Sequence, residues 1–537
     1  MGQIVGCKST KKTMKRSQTI ATTHTTIKVE EPKEIKNILI PYKTSSPEDT
    51  YQILNIIFSD SNQTVWKVKH KKVGLLRAMI KKEKKDQHTT KYIENLINTV
   101  QLLDHPGVIK LFEVYDSPNC YTIITELTDG RSLLDEINDI GPFQEKIAAN
   151  IIFQLLSVVN YLHNTKHQIH GRINPNNISL NSFSDESDYY DIKLLHFEHS
   201  FQNPEYTPCS LSPLKIRQKN KLLYDIFNKH FTQCTPMERN FFPPEILNAN
   251  IKRTNVISDK IDMWDIGLIA FFLFTGKIPN AYTFKSSDLS LPIFDRISPH
   301  GKRLISLLLN RNPSKRISAK NAIKSKWFGF LETKKTIAKV IKKQYKKIMS
   351  NIKRFKSTNK LFQTSLAYLV HNIPDIEDVR NINKMYMSLN SNCDGKMTKE
   401  DIKEGFDSTF LSNKNMNKKV LEKTINDFFG LIDNDGNGYI EYEEFARAGI
   451  DKKIFTEREV LQFSFDFFDK EQKGVITFND IDFIFSSNEK EKEDEIKVIK
   501  RDLNININST VIGNSGVYNN EEITFELYQS MMKRFLL

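Results

Sequence analysis

The spacing of apolar side chains divides the chain into regions with different predicted secondary structure. Residues 51–137 carry short apolar runs and one helical stretch, which is typical of a small lobe built mainly from β-strands. Residues 138–330 contain long helical periodicities, such as Ile147–His163 and Met263–Thr275. Residues 366–537 repeat a helix–loop–helix unit with acidic loops. The pattern therefore predicts an α+β region followed by an all-α region.

Two further segments do not fit this division. Residues 1–48 are polar, and we expect them to be disordered. Residues 331–365 are basic and place aliphatic and aromatic residues between lysines at helical spacing. Three roles fit the second segment: a helix whose apolar face enters a calcium-opened groove, a solvated basic helix, or a membrane-surface helix.

Composition narrows the class of protein. Of the 537 residues, 39% are hydrophobic and 27% are charged, which is ordinary for a soluble globular protein. The net charge of +13 comes from lysine-rich stretches, and such stretches are usually solvated surface. Because no recognition module accompanies the charge, we expect no nucleic-acid partner.

The cysteines and the apolar runs bear on the cellular compartment. The five cysteines include no C-x-x-C pair, which fits a reducing cytosol and argues against a disulfide framework or a zinc site. No apolar run approaches the ~20 residues that a membrane span needs, and no secretory signal is present. We therefore expect a cytoplasmic protein.

The segment from 433 to 444 has the spacing of a calcium-binding EF-hand loop. Gly438 permits the sharp turn that this loop makes at its sixth position. Five positions supply oxygen ligands for Ca²⁺, the last of them placed for a bidentate contact: Asp433, Asp435, Asn437, Tyr439 and Glu444. This loop is the strongest motif in the sequence.

Three related loops have poorer ligand sets. The first loop has Asn at its first position and the short Asp401 at its twelfth; its candidate ligands are Asn390, Asn392, Asp394, Lys396 and Asp401. The third loop puts the cation of Lys473 where an oxygen belongs; its candidate ligands are Asp469, Glu471 and Asp480. The fourth loop would begin at Gly516 and end at Leu527, so we expect it to pair with its neighbour without metal.

Residues 51–330 carry five ordered landmarks. They match the segment after a small-lobe helix, the catalytic loop H-R-D-L-x-x-x-N, the A-P-E and D-x-W-S-x-G segments, and a closing segment. In that order they are Leu103–Leu111, His170–Ile178, Pro243–Glu245, Asp262–Gly267 and Arg316–Phe328. This part of the chain resembles a protein kinase, and residues 51–537 together resemble a calcium-dependent protein kinase.

The resemblance implies a bilobal kinase-like domain over residues 51–330, with a small lobe at about 51–130 and a large lobe at about 131–330. Residues 331–365 would form the autoinhibitory junction, which binds the calmodulin-like domain at 366–537. The resemblance also implies a buried ion pair between Glu245 and Arg316. His170 and Phe197 would support a hydrophobic spine.

The parts of a kinase that bind nucleotide are altered. The three positions of the glycine loop fall on Phe58, Asp60 and Gln63, and none is glycine. Ile80 stands at the lysine position of the third strand, with Lys81 or Lys82 as substitutes if the strand slips. Leu96 stands where a helix glutamate should pair with that lysine, and Glu94 lies on a different helix face. By resemblance, the residues that would line a nucleotide site are Ala78, Lys81, Thr125 and Asn177.

The parts that perform phosphoryl transfer are altered as well. Arg172 replaces the aspartate that acts as base, and arginine cannot accept a proton at neutral pH. His196 replaces the metal-binding aspartate of D-F-G, although magnesium prefers oxygen ligands. Asn177, the second magnesium ligand, is retained. Glu238 stands at the threonine position before A-P-E, and Ser132 stands at an acidic position that helps to bind basic substrates.

The N-terminus carries a candidate lipid anchor. Gly2 follows Met1, as myristoylation requires, although Gly6 stands where Ser or Thr is usual. Cys7 could take a second acyl chain, and neighbouring lysines could contact anionic lipids. The alternative is an unmodified tail.

These observations predict a calcium-responsive pseudokinase that acts as a regulatory or scaffold protein in calcium signalling, with an unknown protein partner. Its cofactor would be Ca²⁺, while binding of ATP with Mg²⁺ is left open. The alternative is a divergent but active calcium-dependent serine/threonine kinase that uses Lys81 or Lys82, Asn177 and an unplaced carboxylate. A third hypothesis is a structural role at a membrane through Gly2 and Cys7.

Overall fold

A computed structural model describes most of both predicted halves of the chain. The described ranges are 40–59, 63–128, 131–182, 190–203, 239–247, 257–278, 289–330, 347–348, 350–352, 360–373, 376–410, 418–433, 436–484, 489–503 and 522–536. Gly2, Cys7, Asp60, Glu238, Asp435, Gly516 and most of the 331–365 segment lie outside these ranges.

The small lobe is a six-stranded sheet with one long helix packed beside it. Its elements are β1 (Tyr42–Lys43), α1 (Pro47–Thr50), β2 (Tyr51–Ser59), β3 (Gln63–His70), β4 (Leu76–Glu83), α2 (Gln87–Val100), β5 (Leu111–Asp116) and β6 (Cys120–Thr125). The strands are ordered β1-β5-β6-β4-β3-β2. Only the β1–β5 pair among these strands is parallel.

The strand β1 corrects the prediction of disorder up to residue 48. Tyr42 and Lys43 pair with Val114 and Tyr115 of β5, and Ile40 is buried beside them. Backbone pairing to a sheet edge and one buried aliphatic side chain outweigh the polar composition that suggested disorder. The prediction for residues 1–39 lies outside the described part of the chain.

The large lobe is mainly helical. Its elements are β7 (Arg131–Ser132), α3 (Leu133–Ile140), α4 (Glu145–Asn164), β8 (Gln168–Ile169), β9 (Ile178–Ser182), β10 (Tyr190–Leu194), β11 (Phe201–Gln202), α5 (Lys260–Thr275), α6 (Pro299–Leu308) and α7 (Ala319–Ala322). Within the described part of this lobe, 3₁₀ turns occur at Pro175–Asn177, Phe197–His199, Pro292–Phe294, Pro313–Lys315 and Lys326–Phe330. Ser132 and Ser298 start α3 and α6 by accepting hydrogen bonds from Asp135 N and Gly301 N. Helix α5 is buried along nearly its whole length, because its sequence is apolar on every face.

The C-terminal half is built from helices joined by the predicted loops. Its elements are α8 (Lys360–Asn372), α9 (Ile376–Leu389), α10 (Lys399–Phe410), α11 (Lys418–Ile432), α12 (Tyr442–Gly449), α13 (Arg458–Phe468), β12 (Val475–Thr477), α14 (Glu489–Asp502), β13 (Glu522–Thr524) and α15 (Phe525–Leu536), with 3₁₀ turns at Lys452–Phe455 and Asp482–Ile484. The loops pair two by two. Met397 and Ile440 exchange two backbone hydrogen bonds, and β12 pairs with β13.

Each half has its own apolar core. The first core joins α2 and the sheet to α4 and α5, while the second fills the C-terminal half. Leu361, Phe362 and Leu366 of α8 all belong to the second core, so the predicted boundary at residue 365 falls inside a helix. Among the described helices, none is both long enough and apolar enough to cross a membrane.

Candidate functional site

Strand β4 carries the residues around the missing lysine. Ile80 packs toward the first core, and Lys82, two residues further along the same strand face, places its Nζ 2.5 Å from Glu198 Oε1. Lys81 lies on the opposite face, where it lines an outer groove with Trp66 and other residues. Of the two lysines considered as substitutes, Lys82 is therefore the one that faces the cleft.

Helix α2 contacts the cleft through the amide of Asn95, one position before Leu96, at which the helix glutamate was predicted. Leu96 is partly buried against the first core, and Glu94 accepts a hydrogen bond from Tyr121 Oη at 3.3 Å. Asn95 Nδ2 donates to the backbone oxygens of Glu198 and Ser200 at 3.3 and 2.8 Å. The helix thus holds the segment after His196 directly.

At the metal position, His196 lies beside the carboxylate of Glu198. His196 adopts a left-handed conformation with φ of 64°, and its Nδ1 lies 3.5 Å from Glu198 Oε1. Burial alone would raise the pKa of Glu198, but Lys82 and His196 outweigh it and hold the pKa of this carboxyl well below its usual range. Glu198 is therefore ionised at neutral pH.

The base position holds a cation that binds a neutral histidine. Arg172 Nη1 lies 2.7 Å from His199 Nε2. Burial, helped by the Arg172 charge, lowers the pKa of His199 to about 3, so its ring is neutral and accepts this hydrogen bond. Asn177 Nδ2 donates to the backbone oxygen of Arg172 at 2.8 Å, so the retained asparagine stabilises the conformation of the catalytic loop.

The remaining predicted nucleotide-lining positions lie on neighbouring strands. Ala78 of β4 and Thr125 of β6 are buried and directly opposite each other in the sheet. Phe58 and Gln63 stand near the ends of β2 and β3, where the glycine loop was expected. Ser132 caps α3 and donates to Asp135 Oδ2 at 2.6 Å.

The residues expected to hold the fold are in place. Asp262 is fully buried and accepts hydrogen bonds from the backbone N–H groups of His170 and Gly171 at 2.9 and 2.8 Å. Arg316 meets Glu245 through two bonds of 2.7 and 2.9 Å, which confirms the buried ion pair implied by the resemblance. The rings of His170 and Phe197 pack edge to face at 4.8 Å.

In the second calcium loop, one carboxylate oxygen lacks a donor among the residues that the structure describes. Asp433 Oδ1 is buried and has no hydrogen-bond partner in the part of the chain that the structure describes, while Oδ2 accepts from Gly438 N at 3.3 Å. Asn437 Oδ1 accepts from Tyr439 N at 3.0 Å, and Glu444 Oε2 accepts from Glu441 N at 3.2 Å. A buried carboxylate oxygen without a donor fits a hard cation such as Ca²⁺.

The first loop is closed by hydrogen bonds of its own. Asp401 Oδ1 accepts from Ser391 Oγ and Asn392 Nδ2, both at 2.9 Å, and Oδ2 accepts from Thr398 N and Oγ1. Burial raises the pKa of Asp394, whose Oδ1 accepts from Lys396 N. The side chains predicted as ligands at positions three and twelve therefore bind each other, although the buried Asn390 Oδ1 lacks a partner among the described residues.

The third loop is likewise closed. Both oxygens of Asp469 accept backbone N–H groups, from Lys473 at 2.9 Å and Gly474 at 2.7 Å. Asp480 Oδ2 accepts from Thr477 N and Oγ1, and the Lys473 ammonium pairs with Glu471. Calcium binding by these residues stays a prediction.

Comparison with known proteins places the chain in a family. The model of the protein kinase domain matches residues 51–328, which is more than half of the chain, and the model of the EF-hand domain pair matches residues 380–448. The chain belongs to the protein kinase family. Within it, the chain is a member of the calcium-dependent protein kinases.

Relatives that are named calcium-dependent protein kinases support this placement. Over 429 residues, which are 76% of this chain and 74% of the relative, the chain is 28% identical to calcium-dependent protein kinase 4 of Plasmodium berghei. It is 28% identical over 409 residues to the protein of that name from Plasmodium falciparum, covering 73% and 71% of the two chains. Calcium-dependent protein kinase 5 of Plasmodium falciparum is 26% identical over 432 residues, covering 79% and 68%. The α+β fold and the calcium-binding character predicted from the sequence are confirmed.

In this family member, the second calcium loop touches the kinase domain. The backbone N–H of Glu443, one residue before the last ligand position, donates to Asp104 Oδ2 at 2.9 Å. Glu443 is buried, as is Asp104, and the Lys110 ammonium lies near both. Burial lowers the pKa of Lys110 against the opposing influence of these carboxylates. This hydrogen bond thus attaches the C-terminal end of the second calcium loop to the segment that follows α2.

Sequence reasoning missed several residues of these sites. Glu198 and His199 lie two and three positions after His196, and their ionisable character in a kinase cleft was the signal that could have drawn attention to them. Asp104 was recognised only as part of a landmark. Its contact with Glu443, 339 positions away, leaves no local trace in the sequence.

Proposed function

We propose that this calcium-dependent protein kinase family member is a calcium-responsive pseudokinase that acts as a regulatory or scaffold protein in calcium signalling. The contact between Arg172 and His199 carries the proposal. A proton acceptor is needed where Arg172 stands, and the neighbouring imidazole, which could have served, is turned toward the guanidinium at 2.7 Å. Neither group is available to accept the proton of a substrate hydroxyl.

The charge distribution in the cleft supports the loss of nucleotide handling. Lys82 is neutralised by Glu198 at 2.5 Å, so its charge is not offered to a phosphate. The ionised Glu198 would repel the phosphates of ATP, because like charges at short distance in a partly buried site are strongly unfavourable. His196 offers imidazole nitrogen where Mg²⁺ prefers oxygen. We infer that ATP with Mg²⁺ does not bind productively.

The calcium response is assigned to the second loop. Asp433, Asn437, Tyr439 and Glu444 would hold the ion together with Asp435, which lies outside the described residues. Bound calcium would supply the positive charge that these oxygens could share. Glu444 belongs to the first turn of α12, and its neighbour Glu443 is bonded to Asp104, so a reorientation of Glu444 displaces the helix end that touches the kinase domain. With one well-formed loop, the response is shallow and non-cooperative.

The second candidate function is a divergent, active serine/threonine kinase that uses ATP. The observation that favours it is Lys82, which faces the cleft from the same strand side as the missing lysine. Asn177 would be the retained magnesium ligand, and the base would be an unplaced carboxylate. This candidate requires Glu198 to release Lys82.

One assay separates the two candidates. In a thermal-shift experiment with ATP, magnesium and calcium varied independently, the pseudokinase is stabilised by calcium alone. A shift with ATP and magnesium, joined to transfer of labelled phosphate that is lost in Arg172→Ala and Asn177→Ala proteins, contradicts the proposal. Transfer that survives both substitutions indicates a contaminating kinase. A calcium titration that shows several cooperative tight sites contradicts the assignment to one loop.

We also propose a cytoplasmic location with peripheral association to a membrane. Its support is the sequence Met1-Gly2, with Cys7 as a second acylation position and lysines beside it. Two weak anchors together give stable binding, whereas one acyl chain is marginal. A Gly2→Ala protein with unchanged membrane fractionation contradicts this location. The protein partner that reads the calcium state is unidentified.

A further inference from the structure

The first calcium loop lies against the end of helix α4 in the kinase domain. Asn160 Nδ2 donates to the backbone oxygens of Asn392 and Cys393 at 2.9 and 3.0 Å. Thr165 Oγ1 donates to the backbone oxygen of Asp394. Three successive carbonyls of this loop therefore accept hydrogen bonds from side chains of the other domain.

Side-chain packing follows the same surface. Gly395 has φ of 77°, and a Cβ atom at this position would overlap the ring of Tyr161. Cys393 is 2% exposed and belongs to the core of the kinase domain, although it lies in the calmodulin-like half. Ser157 Oγ contacts Met387 Sδ at 3.8 Å on the edge of this surface. The fit is close enough that glycine alone is accommodated at position 395.

The third loop provides an internal comparison. Gly474 occupies the same sixth position, with φ of 79°, but no atom lies within 4 Å of the Cβ that would be added there. Both loops have their twelfth-position aspartate bound by hydrogen bonds, yet among the described residues only the first loop is shown in contact with the kinase domain. A hydrogen-bonded aspartate at position twelve therefore does not by itself place a loop against the kinase domain; the surface of the first loop does.

We propose that the first loop, residues 390–401, is a calcium-independent docking element whose binding site is the end of α4, formed by Ser157, Asn160, Tyr161 and Thr165. The donors of the kinase domain bind loop oxygens, and Asp401 is bound by groups of its own loop. The Met397–Ile440 backbone pair joins this fixed loop to the second loop. Calcium at the second loop then acts on a domain that is already attached. This inference does not depend on whether nucleotide binds.

The Cys393 thiol reports the state of this contact. The measurement is N-ethylmaleimide labelling of Cys393 in the full-length protein, followed by mass spectrometry. In the wild type, labelling is expected to be slow, because the contact must open before the thiol can react. The labelling rates in EDTA and in calcium are expected to be equal within about twofold. Gly395→Ala is expected to raise the rate at least about tenfold in both conditions. The matched control is Gly474→Ala, which has the same backbone strain without the clash and leaves the rate unchanged.

A second pair of variants tests the contact from the kinase side. Asn160→Ala removes the donor to two loop carbonyls and is expected to raise Cys393 labelling. The control is Asn150→Ala on the same helix, which is expected to leave labelling unchanged. Among the described hydrogen bonds, Asn150 Oδ1 accepts only one, from Gln154 Nε2. Circular dichroism confirms that each variant is folded. Wild-type labelling that is at least about tenfold faster in EDTA than in calcium overturns the proposal. Equal rates for Gly395→Ala and Gly474→Ala, or no effect of Asn160→Ala, overturn it as well.

Discussion

The kinase cleft and the second calcium loop both have the outline of a ligand site, but their polar groups are arranged in opposite ways. In the cleft, Lys82 meets Glu198 and Arg172 meets His199. In the loop, Asp433 Oδ1 is buried without a partner in the described part of the chain. A site whose groups bind one another is stable without a ligand, whereas a buried oxygen without a donor makes ligand binding favourable. The comparison shows that a kinase cleft can lose its catalytic residues without being destabilised, because the residues that replace them bind one another.

The largest effect is expected at a pair that belongs to neither site. Arg316→Ala leaves Glu245 buried without its counter-ion, and should lower the free energy of unfolding by about 3–5 kcal/mol. The measurement is chemical denaturation followed by tryptophan fluorescence. If the loss were no larger than for Lys302→Ala, whose partner Asp295 is exposed, the fold would not depend on this pair.

The second effect concerns calcium. Glu444→Gln should abolish the stabilisation that calcium gives, which is about 2.7 kcal/mol at one hundred times the dissociation constant, because the last loop ligand is lost. Thermal shift with and without EDTA measures it. The control is Asp480→Asn at the same position of the third loop, where the calcium shift should persist. A persisting shift in Glu444→Gln would place the ion elsewhere.

The third effect returns to the cleft. Glu198→Gln removes the counter-ion of the Lys82 ammonium in a site where both side chains are less than 15% exposed, and should cost about 1–3 kcal/mol of stability. Removing both charges, with Lys82→Met added, should restore most of this loss. A double variant as unstable as the single one would show that the two charges are not coupled.

The same carboxylate predicts a pH dependence. Because the pKa of Glu198 is lower in the folded protein than in the unfolded chain, its contribution is fully present above the ordinary glutamate pKa and is lost as pH falls below it. Wild-type stability measured from pH 6 down to pH 3 should therefore fall more steeply than that of Glu198→Gln. Parallel curves would contradict an ionised Glu198.

The smallest effect is an absence of change. Arg172→Asp restores the residue type of the base, yet phosphate transfer should stay undetectable, because His196 and the Lys82–Glu198 pair still exclude magnesium and nucleotide. Radiolabelled transfer to a basic peptide measures it. Phosphate transfer by this variant would contradict the prediction, because it would show that Arg172 alone keeps the cleft inactive.

The sequence predicted those parts of the molecule that depend on local pattern or on motif spacing. It placed the sheet, the large-lobe helices, the Glu245–Arg316 pair and the loop at 433–444. The assignment of each lost kinase residue stays a prediction. It did not predict β1, because two residues of strand have no period, and it left Lys81 and Lys82 unresolved because strand register decides which one faces inward. The docking of the first loop was invisible, since Asn160 and Asn392 are 232 positions apart.

Asp104 stands between the two loops on the kinase side. Its N–H donates to Tyr161 Oη at 2.7 Å, and Tyr161 is the ring against which Gly395 fits, while its carboxylate receives the end of the second loop. Across relatives, a larger residue at 395 would demand a smaller one at 161, and that change would remove the support of Asp104. Covariation among positions 104, 161 and 395 is therefore the signature by which this coupling could be followed through the family.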